Sequence, residues 1–128
     1  MSCIDHYKIL NRYLSDVGVF SATGCALSVA AGRVSYVYGL MGTSLTVDTA
    51  CSSSLVGSYV GFNDLQGQKV SSFLSTGVNI LMSSDTTEMF QKAGMLASDG
   101  RCKTLDAAAD GYVRAEACAA LKLTTSPY

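Results

Sequence analysis

Val47-Asp48-Thr49-Ala50-Cys51-Ser52-Ser53-Ser54-Leu55 is the stretch around which the rest of the chain is organised. On its upstream side, Ser44 to Thr49 reads S-L-T-V-D-T, with Leu45 and Val47 alternating with polar neighbours as in a short strand. On its downstream side, Leu55, Val56, Tyr59, Val60 and Leu65 fall on one helical face, and Gly67 ends the run. The expected order is strand, sharp turn, helix, with Cys51 at or just before the helix start. A cysteine in that place faces the partial positive charge and free N–H groups of the helix start, which suit an anionic sulfur. The same N–H groups can hold the oxyanion formed when a thioester carbonyl is attacked. Ala50, Ser52 and Ser53 are small and allow close approach to the sulfur. Cys51 is therefore the candidate catalytic nucleophile. An inert buried thiol is the usual fate of a free cysteine. On spacing alone that fate stays open for Cys51, and it is the reading for Cys3, Cys25, Cys102 and Cys118, which lack this setting.

Working outward, Cys3 to Leu14 carries Ile4, Tyr7, Ile9, Leu10, Tyr13 and Leu14 at near-helical spacing, which predicts a short helix. Gly18 to Gly24 reads as a loop. Ala26 to Gly39 places Leu27, Ala30, Ala31, Val34 and Val37 three and four apart, a helix closed by Gly39 or Gly42. Ser72 to Ile80 is predicted as a strand, Thr86 to Leu96 as a short helix or irregular segment, Ser98 to Gly111 as a polar loop and Ala117 to Thr124 as a strand. Strands separated by helical crossovers predict an α/β fold of layers around a mixed sheet.

The 128 residues suffice for one small domain. Hydrophobic residues make up 48% and charged residues only 15%, which excludes a disordered chain. The net charge of -1 and pI of about 5.6 leave no footprint for nucleic acid and no basic patch for anionic lipid. So few charges suit a chain with little exposed surface of its own, a piece of a larger core or one half of a broad interface. There is no C-x-x-C pair, and His6, the single histidine, has no second ligand near it, so no metal site and no disulfide framework are expected. Reduced thiols fit a cytoplasmic protein, or an organellar stroma if a targeting segment lies upstream. No secretory signal is evident. From Val17 to Val47 the only charge is Arg33, but interspersed Gly, Ser and Thr interrupt any membrane span. There is no repeat or linker, and Pro127 is the only proline.

Three ordered motifs carry a resemblance. Asp48-Thr49-Ala50-Cys51-Ser52-Ser53-Ser54-Leu55 resembles the nucleophile signature of β-ketoacyl synthase (ketosynthase) domains, in the form typical of type I polyketide synthases and animal-type fatty acid synthases. Ala22-Thr23-Gly24, then Ala30-Ala31-Gly32-Arg33-Val34-Ser35-Tyr36 and Gly39-Leu40, resembles the helix before the nucleophile strand. Ser98-Asp99-Gly100-Arg101-Cys102-Lys103-Thr104, then Asp106, Asp110-Gly111-Tyr112-Val113-Arg114 and Glu116, resembles the long loop that follows. The resemblance covers almost the whole chain.

It implies part of the N-terminal half of a thiolase-like, layered α/β/α fold that is homodimeric when complete. It implies that Cys51 accepts an acyl group from the phosphopantetheine arm of an acyl carrier protein, its own N–H serving as one oxyanion donor, with no cofactor bound directly. A malonyl-type thioester then loses carbon dioxide and condenses with the acyl-cysteine. The two histidines that support condensation in the family, and the second oxyanion donor, lie in its second half. Residues 1–128 are accordingly expected to be a partial, nucleophile-bearing ketosynthase domain, inactive in condensation by itself. Thr43 stands where the family has proline. Ala115 and Ala117 stand where it has glycines, with strain expected if those positions need positive φ. Asp48, Asp106, Arg114 and Glu116 are expected to fix the loop over the nucleophile helix, against the plainer reading of solvated charges. A second reading is a non-catalytic module for dimerisation or carrier binding. A cysteine hydrolase would need a His–Asx pair near Cys51, for which nothing but His6 is available.

Overall fold

The computed structural model describes residues 5–13 and 18–125. Cys3, Ile4, Leu14 and Pro127 lie outside the described residues. The elements in chain order are helices α1 (Asp5–Tyr13), α2 (Ser21–Cys25) and α3 (Leu27–Tyr38), a 3-10 turn (Ala50–Ser52), helix α4 (Ser53–Gln66), strand β1 (Ser72–Asn79), helix α5 (Ser84–Lys92) and strand β2 (Ala117–Thr124). The strands pair antiparallel in full register, from Ser72 opposite Thr124 to Asn79 opposite Ala117. A parallel relation occurs at a single bridge, Leu96 with Tyr112.

Helix α4 packs on β1 through small residues. Ser54, Gly57, Ser58 and Gly61 share one helical face by their spacing. Phe73, Ser75 and Gly77 alternate along β1 as its less exposed side. Ser58 Oγ and Ser75 Oγ lie 3.3 Å apart. The Phe73 ring fills the place a Cβ at Gly61 would take, so only glycine permits this approach. The other side of the ladder is open: Leu74 is 44% and Val78 72% exposed.

Three helices end in one kind of chain reversal, in which a left-handed residue lets two amides bond back to the last turn. Gly39 (φ 61) closes α3, with Gly39 N–H bonding to Tyr36 O and Leu40 N–H to Ser35 O. Gly94 (φ 69) closes α5, with Met95 N–H bonding to Phe90 O. At α4 the left-handed residue is Gln68 (φ 54) rather than Gly67, and Lys69 N–H bonds to Asp64 O.

Three expected features differ. Ser21 to Cys25 forms a helix where a loop was expected. Five residues are too few for a periodic signal, and Arg33 Nη2 donates to Thr23 O at 3.1 Å, using a carbonyl at the helix end. Ser44 to Thr49 forms no strand, because its polar groups bond to α3 instead of a ladder. Thr46 Oγ1 donates to Leu27 O at 2.7 Å, and Ser35 Oγ to Ser44 Oγ at 3.1 Å. Helix α5 begins two residues before the expected Thr86, capped by Ser83 Oγ, which accepts from Asp85 N–H.

Leu65 and Ala97 are the buried hydrophobic residues among those described. The accessible surface is 9853 Å², against about 6,500 Å² for a compact monomer of this mass. The low charge content and the open apolar faces therefore agree. No helix among the described residues is long and apolar enough to cross a membrane.

Candidate active site

The site is a turn tied by its own side chains. Asp48 Oδ1 accepts from Ala50 N–H at 3.1 Å. Thr49 N–H donates to Ser53 Oγ at 2.8 Å, and Ser53 Oγ donates to Ala50 O at 2.7 Å. Ser52 Oγ lies 2.8 Å from both Thr49 O and Thr49 Oγ1. These short side chains compete well for nearby backbone groups, which is why they favour helix starts and turns over helix interiors.

Ala50 is held at φ 55, a left-handed conformation that costs an alanine about 1–2 kcal/mol. The strain falls on the residue before the candidate nucleophile, where five side-chain hydrogen bonds hold the turn. Its effect is to turn the chain sharply into the 3-10 segment, leaving Cys51 exposed. Cys51 N–H has no acceptor among the described residues and stands free beside its own sulfur. A free amide next to an exposed thiol at a helix start can stabilise an oxyanion formed at that sulfur.

The other described thiols are placed differently. Cys25 is half-buried at the end of α2, Cys118 lies within β2, and Cys102 Sγ accepts from Val113 N–H at 3.2 Å. His6 is exposed on α1 and takes no part in the hydrogen bonds of the turn. Among the described residues, no three of His, Cys, Asp and Glu gather as they would around a metal ion.

The loop expected to cover the nucleophile helix is held otherwise. Asp48 serves the turn itself, Asp106 Oδ1 accepts from Ala108 N–H at 2.8 Å, and Glu116 Oε1 accepts from Leu81 N–H at 2.9 Å. The Arg114 guanidinium sits 5.0 Å from the Phe90 ring centroid. None of these contacts reaches α4. The ionic centre of the loop is Lys103, with Nζ 2.6 Å from Asp110 Oδ1 and 3.2 Å from Asp99 Oδ2. Its hydrogen bond with Asp110 raises the Lys103 pKa and lowers that of Asp110. Ala115 and Ala117 are free of positive φ, so the strain expected there is absent.

Sequence reasoning took Ser52 and Ser53 as merely small. Their hydroxyls in fact build the turn, and the serine run after Cys51 was the signal. It also passed over Asp64, 4% exposed near the far end of α4, whose carboxylate is 3.0 Å from Lys69 Nζ. A carboxylate in an otherwise apolar helical run gave little sign of burial.

Comparison with known proteins gives this geometry its context. Residues 2–127 match the family described as Beta-ketoacyl synthase, N-terminal domain. The chain is 46% identical over 106 residues to a highly reducing polyketide synthase of a Fusarium species, covering 83% of this chain and 4% of that protein. It is 42% identical over 105 residues to a fatty acid synthase of Anser anser anser, covering 82% and 30%. Among solved structures, an oxazolomycin ketosynthase domain of Streptomyces albus superposes with a TM-score of 0.82 at 30% identity, covering 97% of this chain and 22% of that one. A ketosynthase from module 6 of the bacillaene synthase of Bacillus subtilis gives a TM-score of 0.77 at 33% identity, covering 86% and 20%. The chain thus spans a small part of each relative, and its described helices and strands form part of their layered α/β fold. With a family match across nearly its whole length and the same fold in solved ketosynthases, the chain belongs to the β-ketoacyl synthase family, within the N-terminal domain.

Proposed function

We propose that this chain carries the acyl-accepting step of a β-ketoacyl synthase in polyketide or fatty acid synthesis, with Cys51 as the nucleophile. The observation that supports it is the exposed Cys51 with its free N–H, on a strained turn at the start of α4. The Cys51 thiolate adds to the carbonyl of an acyl thioester held on the phosphopantetheine arm of an acyl carrier protein. The carbonyl π pair moves to oxygen, where Cys51 N–H donates to it. Collapse breaks the bond to the phosphopantetheine sulfur, which leaves as thiolate and takes a proton. A malonyl-type thioester then loses carbon dioxide, and the electron pair of the broken bond becomes an enolate. The enolate adds to the acyl-Cys51 carbonyl and expels the Cys51 thiolate, forming one carbon–carbon bond. Covalent capture divides one hard step into two easier ones.

The residues on this chain suit the first step. Decarboxylation calls for the family's pair of histidines, and this chain holds only His6, exposed on α1. Residues 1–128 therefore act as the nucleophile-bearing part of a complete domain. The open face of the β1–β2 ladder suits packing against the remainder of that domain and a second copy.

Incubation of the full-length polypeptide with an acyl thioester, followed by intact-mass measurement and peptide mapping, tests this. One acyl group on Cys51 is expected, and it is lost in Cys51→Ala. Acylation that persists in that variant, or that maps to Cys25, Cys102 or Cys118, overturns the assignment and favours a non-catalytic module.

A further inference from the structure

The far end of α4 is built against ordinary helix chemistry. Asp64 lies in the last turn, where the negative end of the helix dipole disfavours a carboxylate. It is also buried, which withdraws water from the charge. Oδ1 is met by Lys69 Nζ at 3.0 Å, but Oδ2 is buried with no hydrogen-bond partner among the described residues. A buried acceptor of this kind calls for a donor.

Thr43 is the candidate donor: it makes no hydrogen bond to Oδ2 here, but its hydroxyl favours the charged form of Asp64 more than Lys69 does. Gly42, just before it, lies so close to Val70 that a Cβ there would stand 2.7 Å from Val70 Cγ1. The chain thus passes one point twice, at Gly42–Thr43 on its way to Cys51 and at Asp64–Val70 after leaving it. Between these passages it runs out to the turn and back along α4. The outward limb from Thr43 to Thr49 can extend about 20 Å, and α4 from Ser53 to Asp64 rises about 17 Å. Limbs of similar length joined at the foot leave the tip little freedom.

We propose that Asp64 is a positioning residue for Cys51: Oδ2 takes the Thr43 hydroxyl, closes the foot of this arm and thereby sets where Cys51 stands at its tip. The inference rests on Cys51 being the nucleophile, and iodoacetamide alkylation of Cys51, which needs no acyl substrate, keeps the two separable.

The test uses the full-length polypeptide with Thr43→Val, Thr43→Ser, Asp64→Asn and the double variant Thr43→Val/Asp64→Asn. Thr43→Val and Asp64→Asn should each change the Cys51 alkylation rate about threefold or more. Each should also lower the maximal acylation rate about tenfold while leaving the half-saturating thioester concentration within about twofold. The double variant should be no worse than the poorer single one, and Thr43→Ser should return both rates to within about twofold of the parent. Unchanged alkylation in Thr43→Val, single effects that multiply in the double variant, or failure of Thr43→Ser to restore the rates overturns the proposal. Thr43 is exposed, so if Asp64→Asn does not fold, the Thr43 pair still decides. If the parent is not acylated at Cys51, the functional reading falls, and alkylation still judges the clamp.

Discussion

The ends of α5 and α4 use the same reversal with opposite materials. At α5, Gly94 takes the left-handed position and the residues bridged by the backbone bond are Phe90 and Met95, both apolar, as helix sequences commonly have there. At α4, Gln68 takes that position and the bridged pair is Asp64 and Lys69. The α5 end is therefore explained by its own residues. The α4 end is not explained by its own residues: Asp64 Oδ2 has no partner among those described, and the chain 21 residues upstream returns to it, with Gly42 against Val70 and Thr43 favouring the Asp64 charge. A helix end that departs from local preference marks a tertiary constraint, and here the constraint lies at the foot of the arm that carries Cys51.

The largest effect should come from the body of α4. Gly61→Val would drive a branched side chain into the Phe73 ring and cost about 1–3 kcal/mol. Chemical denaturation of the full-length polypeptide measures this. A neutral result would mean that the α4 end, rather than its contact with β1, fixes the helix.

The two reversals should then respond with opposite signs. Gly94→Ala places a Cβ at φ 69 and should destabilise by about 1 kcal/mol. Gln68→Gly relieves the same conformation and should stabilise by about 0.5–1 kcal/mol. Like signs in the same denaturation assay would erase the contrast between the two ends.

The smallest effect is one of pH. Asp64 has a lowered pKa in the folded chain, because Thr43 and Lys69 favour its charged form. Its contribution is therefore complete above the ordinary carboxylate value and is lost as pH falls through the lowered one. Hydrogen exchange at Lys69 N–H, corrected for intrinsic rate and compared with Met95 N–H, should hold constant from neutral pH to about pH 5 and lose relative protection only in stronger acid. A ratio that stays flat down to about pH 2 would show that the Asp64 charge does not hold this end.

Much of the arrangement was legible in the residues. Strand β2 runs from Ala117 to Thr124 as its apolar composition indicated, and β1 ends one residue short of the expected Ile80. The turn into α4 puts Cys51 where the Ala-Cys-Ser run placed it, because small and hydroxylated residues act on their immediate neighbours. Helix α2 was missed because Gly18 and Gly24 punctuate it, and its support comes partly from Arg33, eight residues beyond its end. Ser44 to Thr49 alternates like a strand, but alternation describes two faces and does not supply a partner to bond with.

The sequence by itself determined the family, through three ordered motifs along the chain, and the candidate nucleophile, through the residue types within a few positions of Cys51. Tertiary structure alone decided that Ser44 to Thr49 bonds to α3 rather than to a sheet, that Gly61 makes room for Phe73, and that Gly42 comes against Val70. Each of these depends on groups distant in the chain coming within a few ångströms. Hydrogen bonds and steric contact act at that range, and no local period or propensity records it.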